Sequence, residues 1–395
     1  MAQRDGAGEL KHYANRIARV IQNVDAREVL PAILEEERLA PVLVLTSASF
    51  KTSSYLVSLL AAVPVPFVIF GECQPHSPAH CVIDAIATLG DLQPDAIVAI
   101  GGGSVIDTAK AVSMALWRDI KSPDRLSELR SQPTRVNSGE GEPGPRIIAI
   151  PTTLSAAELS PIGGMTNDVT LHKDVIGHEY AIPRSIIYDP RALLDAPRSI
   201  LLGSGVKAID HAAETLCAGS ASGYAAPLAR QALRLFARAL PAIASAYEAG
   251  RQPARSDLAE AQLGCWMSMA GPAHGAPVGA SHALGHALGA ICGVAHGLTS
   301  CVTLAPVLRW NHDWCISAKR EISEALDGHA DERAETSVAR LVGKLALPTR
   351  LSELGVTEAQ LPVIAAYAFE DRNAATNCRP IASGQEMLEI LRECL

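Results

Sequence analysis

Four histidines in the second half of the chain have types and spacings that suit catalysis or metal binding. His282 and His286 are four residues apart, so on a helix they share one face. His296 follows in the same segment, and His211 lies in an earlier one. Imidazoles from two segments can hold a divalent metal ion or transfer a proton. The sequence therefore indicates a candidate catalytic site in this region.

A second candidate site lies where an apolar run leads through three glycines into a helical pattern. The run 96–100 is typical of a buried strand, and Gly101, Gly102 and Gly103 follow it directly. Glycines let backbone N–H groups approach an anion closely, and the start of a helix attracts negative charge. Ser104 is expected to cap that helix. The segment predicts a phosphate-binding loop that differs from the G-x-G-x-x-G fingerprint, with a ligand-free tight turn as the alternative.

A third segment again joins a strand pattern to small hydroxyl side chains. The apolar run 147–150 is followed by Thr152, Thr153 and Ser155, whose hydroxyl groups can donate to a phosphate or a ribose. Neighbouring parallel strands end at one edge of their sheet, where ligands bind. The two loops together predict one nucleotide site.

The motifs GGGSxxDxAK at 101–110 and IPTT at 150–153 together resemble those of the iron-containing alcohol dehydrogenase family. Within that family, the stretch ELSPIGGMT at 158–166 is most similar to maleylacetate reductases. The resemblance extends from residue 42 to residue 380 and implies a dehydroquinate synthase-like fold. It also implies NAD(P)H as the cofactor and a homodimer as the assembly.

The resemblance also indicates which residues surround the cofactor. The pyrophosphate is expected over the glycine loop, with Asp107 orienting the helix or the nicotinamide side. Ser47 stands where NAD-preferring relatives often carry an aspartate, so the 2′-phosphate of NADPH is not repelled. The expected cofactor-binding residues are Ser47, Gly101, Gly102, Gly103, Ser104, Asp107, Thr152, Thr153, Leu154 and Ser155.

The metal ligands of that family are an aspartate, a histidine four residues later, and two histidines spaced like His282 and His296. Here the aspartate position is Lys207, four residues before His211. A lysine ammonium donates no lone pair and repels a dication. Asp210 lies about 300° further around an α-helix and is not expected to replace the missing ligand. Maleylacetate reductases also lack this aspartate and work without metal, so we expect no metal here, or His211, His282 and His296 as its ligands.

Without a metal, Lys207 is expected to stabilise an oxyanion or to bind a substrate carboxylate. The histidines would then supply or remove the proton. A salt bridge from Lys207 to Asp210 or Glu214 is the alternative. The expected catalytic residues are Lys207, His211, His282, His286 and His296.

The C-terminal segment matches a closing Thr-Asn-Pro-Arg element of the family, with Cys378 in place of the proline. Asn377 and Arg379 are expected to face the cleft and the substrate. The guanidinium of Arg379 suits a carboxylate through paired hydrogen bonds, although a surface arginine is equally expected.

The candidate site residues can be positioned by a sheet in the first half of the chain and by helices in the second half. Short apolar runs alternate with helical stretches between residues 42 and 189, which predicts a Rossmann-like parallel sheet with helices on both faces. Helical spacing then predicts an all-α region. We expect an α/β nucleotide-binding domain over residues 1–190 and a helical catalytic domain over 191–395. The predicted strands are 42–45, 65–70, 96–100, 147–150 and 185–188, the predicted helices are 227–247, 257–271, 280–292 and 337–345, and 121–146 is a predicted surface loop.

Composition limits the class of protein. The 395 residues are 48% hydrophobic and 4% aromatic, which suits a large aliphatic core. A net charge of −8 without a basic run argues against nucleic-acid binding. No membrane span or signal sequence is predicted, so we expect a cytoplasmic protein. The nine scattered cysteines form no C-x-x-C pair and are expected to be reduced.

The sequence thus predicts an NAD(P)H-dependent oxidoreductase similar to maleylacetate reductases. It would transfer a hydride to a small carbonyl or conjugated carboxylate substrate, without a metal. One alternative is an iron- or zinc-dependent alcohol dehydrogenase on the same fold. The other is a non-redox enzyme or binding protein that has kept the nucleotide fold.

Overall fold

The computed structural model describes residues 16–130, 144–169, 173–218, 223–328 and 332–395. All of its strands precede residue 190, and helices alone follow in these ranges. The strands are β1 (Arg19–Gln22), β2 (Val42–Ser47), β3 (Phe67–Cys73), β4 (Ala96–Gly101), β5 (Arg146–Pro151), β6 (Ile162–Thr166), β7 (Lys173–Gly177) and β8 (Ser185–Tyr188). The first helices are α1 (Ala26–Glu36), α2 (Ser54–Leu60), α3 (Ala79–Ala87) and α4 (Gly103–Trp117).

The helical half begins with the twenty-residue helix α5 (Arg198–Cys217), which is buried along most of its length. The helices that follow are α6 (Ala225–Glu248), α7 (Arg255–Ser268), α8 (Ala270–Ala273), α9 (Ala280–Cys292), α10 (His296–Trp310), α11 (Ile316–Ala325), α12 (Ala334–Lys344), α13 (Leu361–Glu370), α14 (Arg372–Ala375) and α15 (Gly384–Glu393).

Six strands form one parallel sheet in the order β1-β8-β5-β4-β2-β3. Side chains alternate between its two faces, because successive residues of a strand point in opposite directions. On β2, Leu43 and Leu45 pack in a core with α3 and α4, whereas Val42 and Val44 pack in another with α1 and α2. Both faces are therefore covered, which accounts for the apolar runs in the sequence.

The predicted α/β sheet followed by helices is confirmed, and all five predicted strands are present within a few residues. Three strands were not predicted. The edge strand β1 is short, and β6 and β7 form a separate antiparallel hairpin. The hairpin escaped prediction because β6 contains Gly163 and Gly164, which are uncommon in strands. Within the predicted loop 121–146, residues 123–129 form a 3₁₀ helix, and residues 131–143 lie outside the described ranges.

One buried carboxylate connects the sheet to the helical half. Asp189, directly after β8, is fully buried, and its Oδ2 accepts hydrogen bonds from the N–H of Ala26 at 3.0 Å and the hydroxyl of Tyr55 at 3.1 Å. The Arg191 guanidinium donates to the same carboxylate at 2.8 Å. The backbone carbonyl of Asp189 accepts from the side chain of Gln262 on α7 at 3.2 Å. Asp189 thus holds the start of α1, the helix α2 and the helix α7 together at one point.

Replacing Asp189 by alanine should lower the free energy of unfolding by about 3 kcal/mol, because several buried donors lose their acceptor together. Urea unfolding followed by circular dichroism measures this change. Asp195→Ala is the matched control, since Asp195 is exposed six residues further on. Equal unfolding midpoints for the two variants would contradict this role of Asp189.

Candidate active site

The glycine loop after β4 and the threonine loop after β5 lie side by side, because the two strands pair in register up to their last residues. A Cβ atom placed on Gly102 would be 3.1 Å from Cγ2 of Thr153, and one on Gly103 would be 3.0 Å from Oγ of Ser155. The hydroxyls of Thr153 and Ser155 are buried without a hydrogen-bond partner among the described residues. Buried hydroxyls beside bare backbone are suited to an anionic ligand.

The other residues of the threonine loop have structural contacts. The N–H of Thr152 donates to the carbonyl of Gly101 at 3.0 Å and so continues the sheet ladder. The N–H of Leu154 donates to Oγ of Ser204 on α5 at 3.0 Å, and the Leu154 side chain is buried in the core around α5. The loop is therefore fixed to both halves of the protein.

Ser104 does not cap α4, contrary to the sequence prediction. The N-cap is Gly102, and Gly103 is already helical, so Ser104 is the second helical residue. Its Oγ accepts from the N–H of His76 at 3.0 Å, and its carbonyl accepts from the hydroxyl of Ser77 at 2.8 Å. Ser104 thus connects α4 to the loop before α3.

The carboxylate of Asp107 also makes hydrogen bonds to neighbouring residues of the protein. Its Oδ2 accepts from the N–H of Gly164 in β6 at 3.0 Å, and its Oδ1 accepts from Nζ of Lys110 at 3.1 Å. Lys110 is completely buried and donates further to the carbonyls of Ala157 and Ile162, both at 2.8 Å. Together these contacts hold the segment after β5 and the hairpin against α4.

Ser47 ends β2 at the same edge of the sheet, two strands away from β5. Its hydroxyl lies 3.2 Å from that of Ser49. Nearby, the ammonium of Lys51 pairs with Glu72 at 3.0 Å and its side chain lies across Gly71. The carboxylate that would repel a 2′-phosphate is thus absent from position 47, and a lysine lies in the loop that follows.

Lys207 lies in the middle of α5 and is 2% exposed. Its Nζ has no hydrogen-bond partner among the described residues, and the Oδ2 of Asp210 is 3.7 Å away. Burial lowers the pKa of Lys207, while the charges of Asp210 and Glu214 oppose that shift. The ion pair with Asp210 considered as the alternative role is therefore present, although its separation exceeds hydrogen-bond distance. A buried ammonium without a hydrogen-bond partner among the described residues is typical of a functional site.

Asp210 is a neighbour of Lys207, as the salt-bridge alternative requires, because residues three apart on a helix are adjacent on its surface. Its carboxylate is fully buried and accepts from the hydroxyls of Ser281 at 2.8 Å and Ser300 at 2.5 Å. Burial raises the pKa of Asp210. Asp210 therefore links α5 to α9 and α10.

Glu214, one turn further along α5, binds the start of α9. Its two oxygens accept from the N–H groups of Gly279 at 2.6 Å and Ser281 at 2.9 Å, and Nδ1 of His282 is 2.6 Å from Oε2. Burial raises the pKa of Glu214 to about 7. Because both oxygens already accept from backbone donors, we assign the proton of this contact to Nδ1 of His282. The Nε2 of His282, which is buried without a partner in the described ranges, then keeps a free lone pair.

Three of the predicted histidines are neutral at physiological pH. Burial lowers the pKa of His282 to about 3 and that of His211 and His296 well below the ordinary value. The charge of Lys207 adds to the shift in all three, so these imidazoles lie within its field. His211 stacks on His282 with ring centroids 4.8 Å apart. The structure thus brings the predicted catalytic group together around one cation.

His286 lies at the outer side of this group. It stacks on His296 with ring centroids 5.7 Å apart, and its side chain is 43% exposed. Its Nδ1 is 2.7 Å from a carboxylate oxygen of Asp371, a contact absent from the sequence prediction. Since Asp371 is 85 residues away in the chain, only the fold reveals this pair.

Asn377 and Arg379 are bound to the protein itself. The amide nitrogen of Asn377 donates to the side chain of Asn311 at 2.8 Å and to the carbonyl of Arg379 at 2.7 Å, and its oxygen accepts from the N–H of Ala280 at 3.3 Å. The guanidinium of Arg379 lies 3.6 Å from the ring centroid of Trp310 and donates to its carbonyl at 2.7 Å. Their proposed contact with substrate stays a prediction.

The residues present do not fit the metal that the resemblance implies. Lys207 supplies a cation where the family has a carboxylate ligand. Asp210, Glu214 and His282 offer ligand atoms within 4.8 Å of one another. However, the two carboxylates already accept hydrogen bonds from serine hydroxyls and from the start of α9, and the Lys207 ammonium is 3.7 Å from one of them. A dication there would break these contacts and face a neighbouring positive charge.

Comparison with known proteins identifies the class. Residues 18–190 match the iron-containing alcohol dehydrogenase family, and residues 202–395 match its C-terminal domain. The chain therefore belongs to the iron-containing alcohol dehydrogenase family and is an oxidoreductase.

Individual relatives differ in their reactions. The chain is 31% identical over 338 residues to the 1,3-propanediol dehydrogenase of Klebsiella pneumoniae, covering 83% of each protein. It is 30% identical over 316 residues to the maleylacetate reductase of Sphingobium indicum, covering 79% of this chain and 78% of that one. The structure of sulfoacetaldehyde reductase from Bifidobacterium kashiwanohense in complex with NAD+ has the same fold, with a TM-score of 0.82 at 22% identity over 98% of this chain and 99% of that one.

These findings confirm the predicted family, fold class and enzyme class, and they disfavour the non-redox alternative. Among the described helices, none is both long and apolar enough to cross a membrane. The prediction considered Asp210 and Glu214 as possible salt-bridge partners of Lys207 and missed their contacts with α9 and α10. Their signal is present in the sequence, since positions 207, 210, 211 and 214 place four polar side chains on one face of an otherwise apolar helix.

Converting Lys207 to aspartate should restore a donor set of one carboxylate and three imidazoles. We expect the affinity for Zn²⁺ to rise on the order of 100-fold, because a repelling charge is replaced by a ligand. Competition against a zinc-binding dye measures it. Lys207→Met is the control, since it removes the charge without adding an oxygen ligand. Metal binding by the unaltered protein as tight as that of Lys207→Asp would contradict this interpretation.

Proposed function

We propose that this protein is a metal-independent, NAD(P)H-dependent reductase of a small carbonyl or conjugated carboxylate substrate. The observation that carries the proposal is the buried ammonium of Lys207, which has no hydrogen-bond partner among the described residues and lies among three neutral imidazoles. Reduction of a carbonyl develops negative charge on oxygen, and a fixed cation in a water-poor site stabilises that charge. Lys207 would thus do what a Lewis-acidic metal does in metal-dependent enzymes.

The proposed roles follow from donors and acceptors on the chain. When bound, the reduced nicotinamide supplies the hydride. The N–H groups of Lys207 hold the substrate oxygen, since no acceptor within hydrogen-bond distance competes for them in the described structure. Glu214 keeps the proton of His282 on Nδ1 and directs the Nε2 lone pair away from itself. Asp210 and its two serine partners keep a negative charge near Lys207 and so favour its protonated form.

Support for the cofactor comes from the loops at the carboxyl edge of the sheet. Gly102 and Gly103 present backbone at the start of α4, and the free hydroxyls of Thr153 and Ser155 lie beside them. This arrangement suits a pyrophosphate. The bound NAD+ of the sulfoacetaldehyde reductase structure supports the same assignment. Ser47, with Lys51 in the next loop, admits NADPH as well as NADH.

The second candidate is a metal-dependent alcohol dehydrogenase. The ligand atoms of Asp210, Glu214 and His282 favour it, because they lie within 4.8 Å of one another. Elemental analysis of protein purified without chelator separates the two candidates. One equivalent of tightly held iron or zinc supports the second candidate, and its absence together with turnover supports the first. A screen of NADH and NADPH oxidation against oxo acids, aldehydes and enoates then identifies the substrate class.

Lys207→Met should lower kcat/KM at least about 100-fold, the scale of loss seen when one oxyanion-stabilising donor is removed. Steady-state oxidation of NAD(P)H measures it, with cofactor binding as the control that should remain unchanged. Turnover by Lys207→Met equal to that of the unaltered enzyme would contradict the role of Lys207.

The pH dependence of the activity should also reveal the role of Lys207. The cationic form of Lys207 is the active one, and its pKa is lowered below the ordinary 10.5 by burial. Activity should therefore fall as the pH rises through that lowered value, before pH 10.5 is reached. Lys207→Arg should lose this alkaline limb, because a guanidinium stays protonated throughout. An identical alkaline limb in Lys207→Arg would assign the titration to another group.

Gly102→Leu should weaken cofactor binding on the order of 100-fold, because the added side chain occupies space 3.1 Å from Thr153 that the phosphate requires. Quenching of protein fluorescence by NAD(P)H measures the dissociation constant. Gly343→Leu on α12 is the control, since a Cβ atom at Gly343 has no atom within 4 Å among the described residues. Equal affinity in Gly102→Leu and the unaltered enzyme would exclude this loop as the phosphate site.

A further inference from the structure

Three thiols from distant parts of the chain meet outside the catalytic group. Cys217 is the last residue of α5, Cys315 directly precedes α11, and Cys378 lies in the C-terminal segment. The Sγ of Cys315 is 3.3 Å from that of Cys217 and 3.4 Å from that of Cys378. Cys217 is buried, whereas Cys315 and Cys378 are partly exposed. All three are free thiols whose sulfur atoms are in contact.

The surroundings of the cluster favour one thiolate within it. The neighbouring thiols of Cys217 and Cys315 lower the pKa of Cys378, and the ammonium of Lys319 contributes in the same direction. The same contacts raise the pKa of Cys217, whose thiol therefore stays protonated. Thiolate character and solvent access together determine which cysteine reacts with an oxidant. Cys378 has both, and Cys315 lies in contact with it.

We propose that this cluster is an oxidative modification site, at which a peroxide converts Cys378 and Cys315 into a disulfide. The Cys378 thiolate attacks one peroxide oxygen and breaks the O–O bond, which gives a sulfenic acid and, after protonation of the leaving oxygen, water or an alcohol. The Cys315 thiol then attacks the sulfenic sulfur, forms the S–S bond and releases water. The two sulfurs are oxidised by two electrons in total, and the peroxide is reduced by two.

The geometry allows this reaction with a small movement. A disulfide requires the sulfurs to approach to about 2.05 Å, so the 3.4 Å contact must shorten by about 1.3 Å. Both residues lie outside regular helix, Cys315 before α11 and Cys378 after α14, where the backbone has room to adjust.

The cluster is connected to the catalytic group. Cys378 follows Asn377, whose side chain holds the N–H of Ala280 at the start of α9, the helix that carries His282. Cys217, Cys378 and Glu214 also line one small cavity. A shift of Cys378 towards Cys315 would move Asn377 and loosen the start of α9. Oxidation should therefore lower the activity, and a dithiol reductant should restore it.

Hydrogen peroxide added to the reduced, full-length protein tests the proposal. After alkylation of the remaining thiols, peptide mass spectrometry should find a Cys315–Cys378 disulfide. Cys378→Ser should abolish it, whereas Cys292→Ser should leave it intact, since Cys292 is a partly exposed thiol at the end of α9. This readout needs no substrate, so its outcome is independent of the proposed function. Full alkylation of Cys315 and Cys378 after peroxide treatment would overturn the proposal.

Loss of activity tests the connection to the catalytic group. Inactivation by peroxide should be about tenfold slower in Cys378→Ser than in the unaltered protein, because the reactive thiolate is gone. In the unaltered protein, dithiothreitol should restore the activity together with the free thiols. Inactivation of Cys378→Ser at the unaltered rate would show that the cluster does not control the site.

Discussion

The buried ammonium of Lys207 is the constraint to which the rest of the site is adapted. Removing a charge from water costs several kcal/mol even in a relaxed protein interior. Attraction to the Asp210 carboxylate at 3.7 Å offsets about 4 kcal/mol of this at an effective dielectric constant of about 20. Burial is the larger of the two effects, so the pKa of Lys207 is lowered while the charges of Asp210 and Glu214 oppose the shift. Under the proposed function, a substrate oxygen that acquires negative charge next to Nζ would add to this compensation, and the site would stabilise the transition state more than a neutral ligand.

Helix α5 positions α9, α10 and the loop after β5 through hydrogen bonds from its own side chains. Its Asp210 binds serines of α9 and α10, its Glu214 binds the start of α9, and its Ser204 binds the loop after β5. The helices that carry the imidazoles and the loop after β5 are thus all fixed to one rigid element, the helix α5. Because hydride transfer requires reacting atoms to meet within a fraction of an ångström, this arrangement accounts for the burial of almost the whole helix.

Patterns in the sequence predicted the elements that depend on residues close together in the chain. The apolar runs gave the strands of the main sheet, and helical spacing gave α9 and its histidines within the observed bounds. Contacts between distant segments escaped prediction, such as Asp371 on His286 and Glu214 on the backbone of α9. Ser104 was misassigned because the helix begins two residues earlier than a Ser104 cap requires, with Gly102 as an N-cap that makes no side-chain hydrogen bond. The two-domain division, the cytoplasmic location and the homodimer stay predictions, since each depends on something other than the contacts described.

Lys207 stands at the position where the family is expected to carry a metal-ligand aspartate, and the chain keeps the family's fold. In the described structure, the neutral imidazole of His282 is hydrogen-bonded to the Glu214 carboxylate through Nδ1. That hydrogen bond leaves His282 with an acceptor at Nε2, while Lys207 offers donors at Nζ. Under the proposed function, the substrate oxygen alternates between a carbonyl and a hydroxyl. The positively charged donor suits the carbonyl form, and the acceptor that can take a proton suits the hydroxyl form. Lys207 and His282 can therefore serve carbonyl reduction with a protein cation, provided that the ammonium stays protonated, which is the condition that Asp210 maintains.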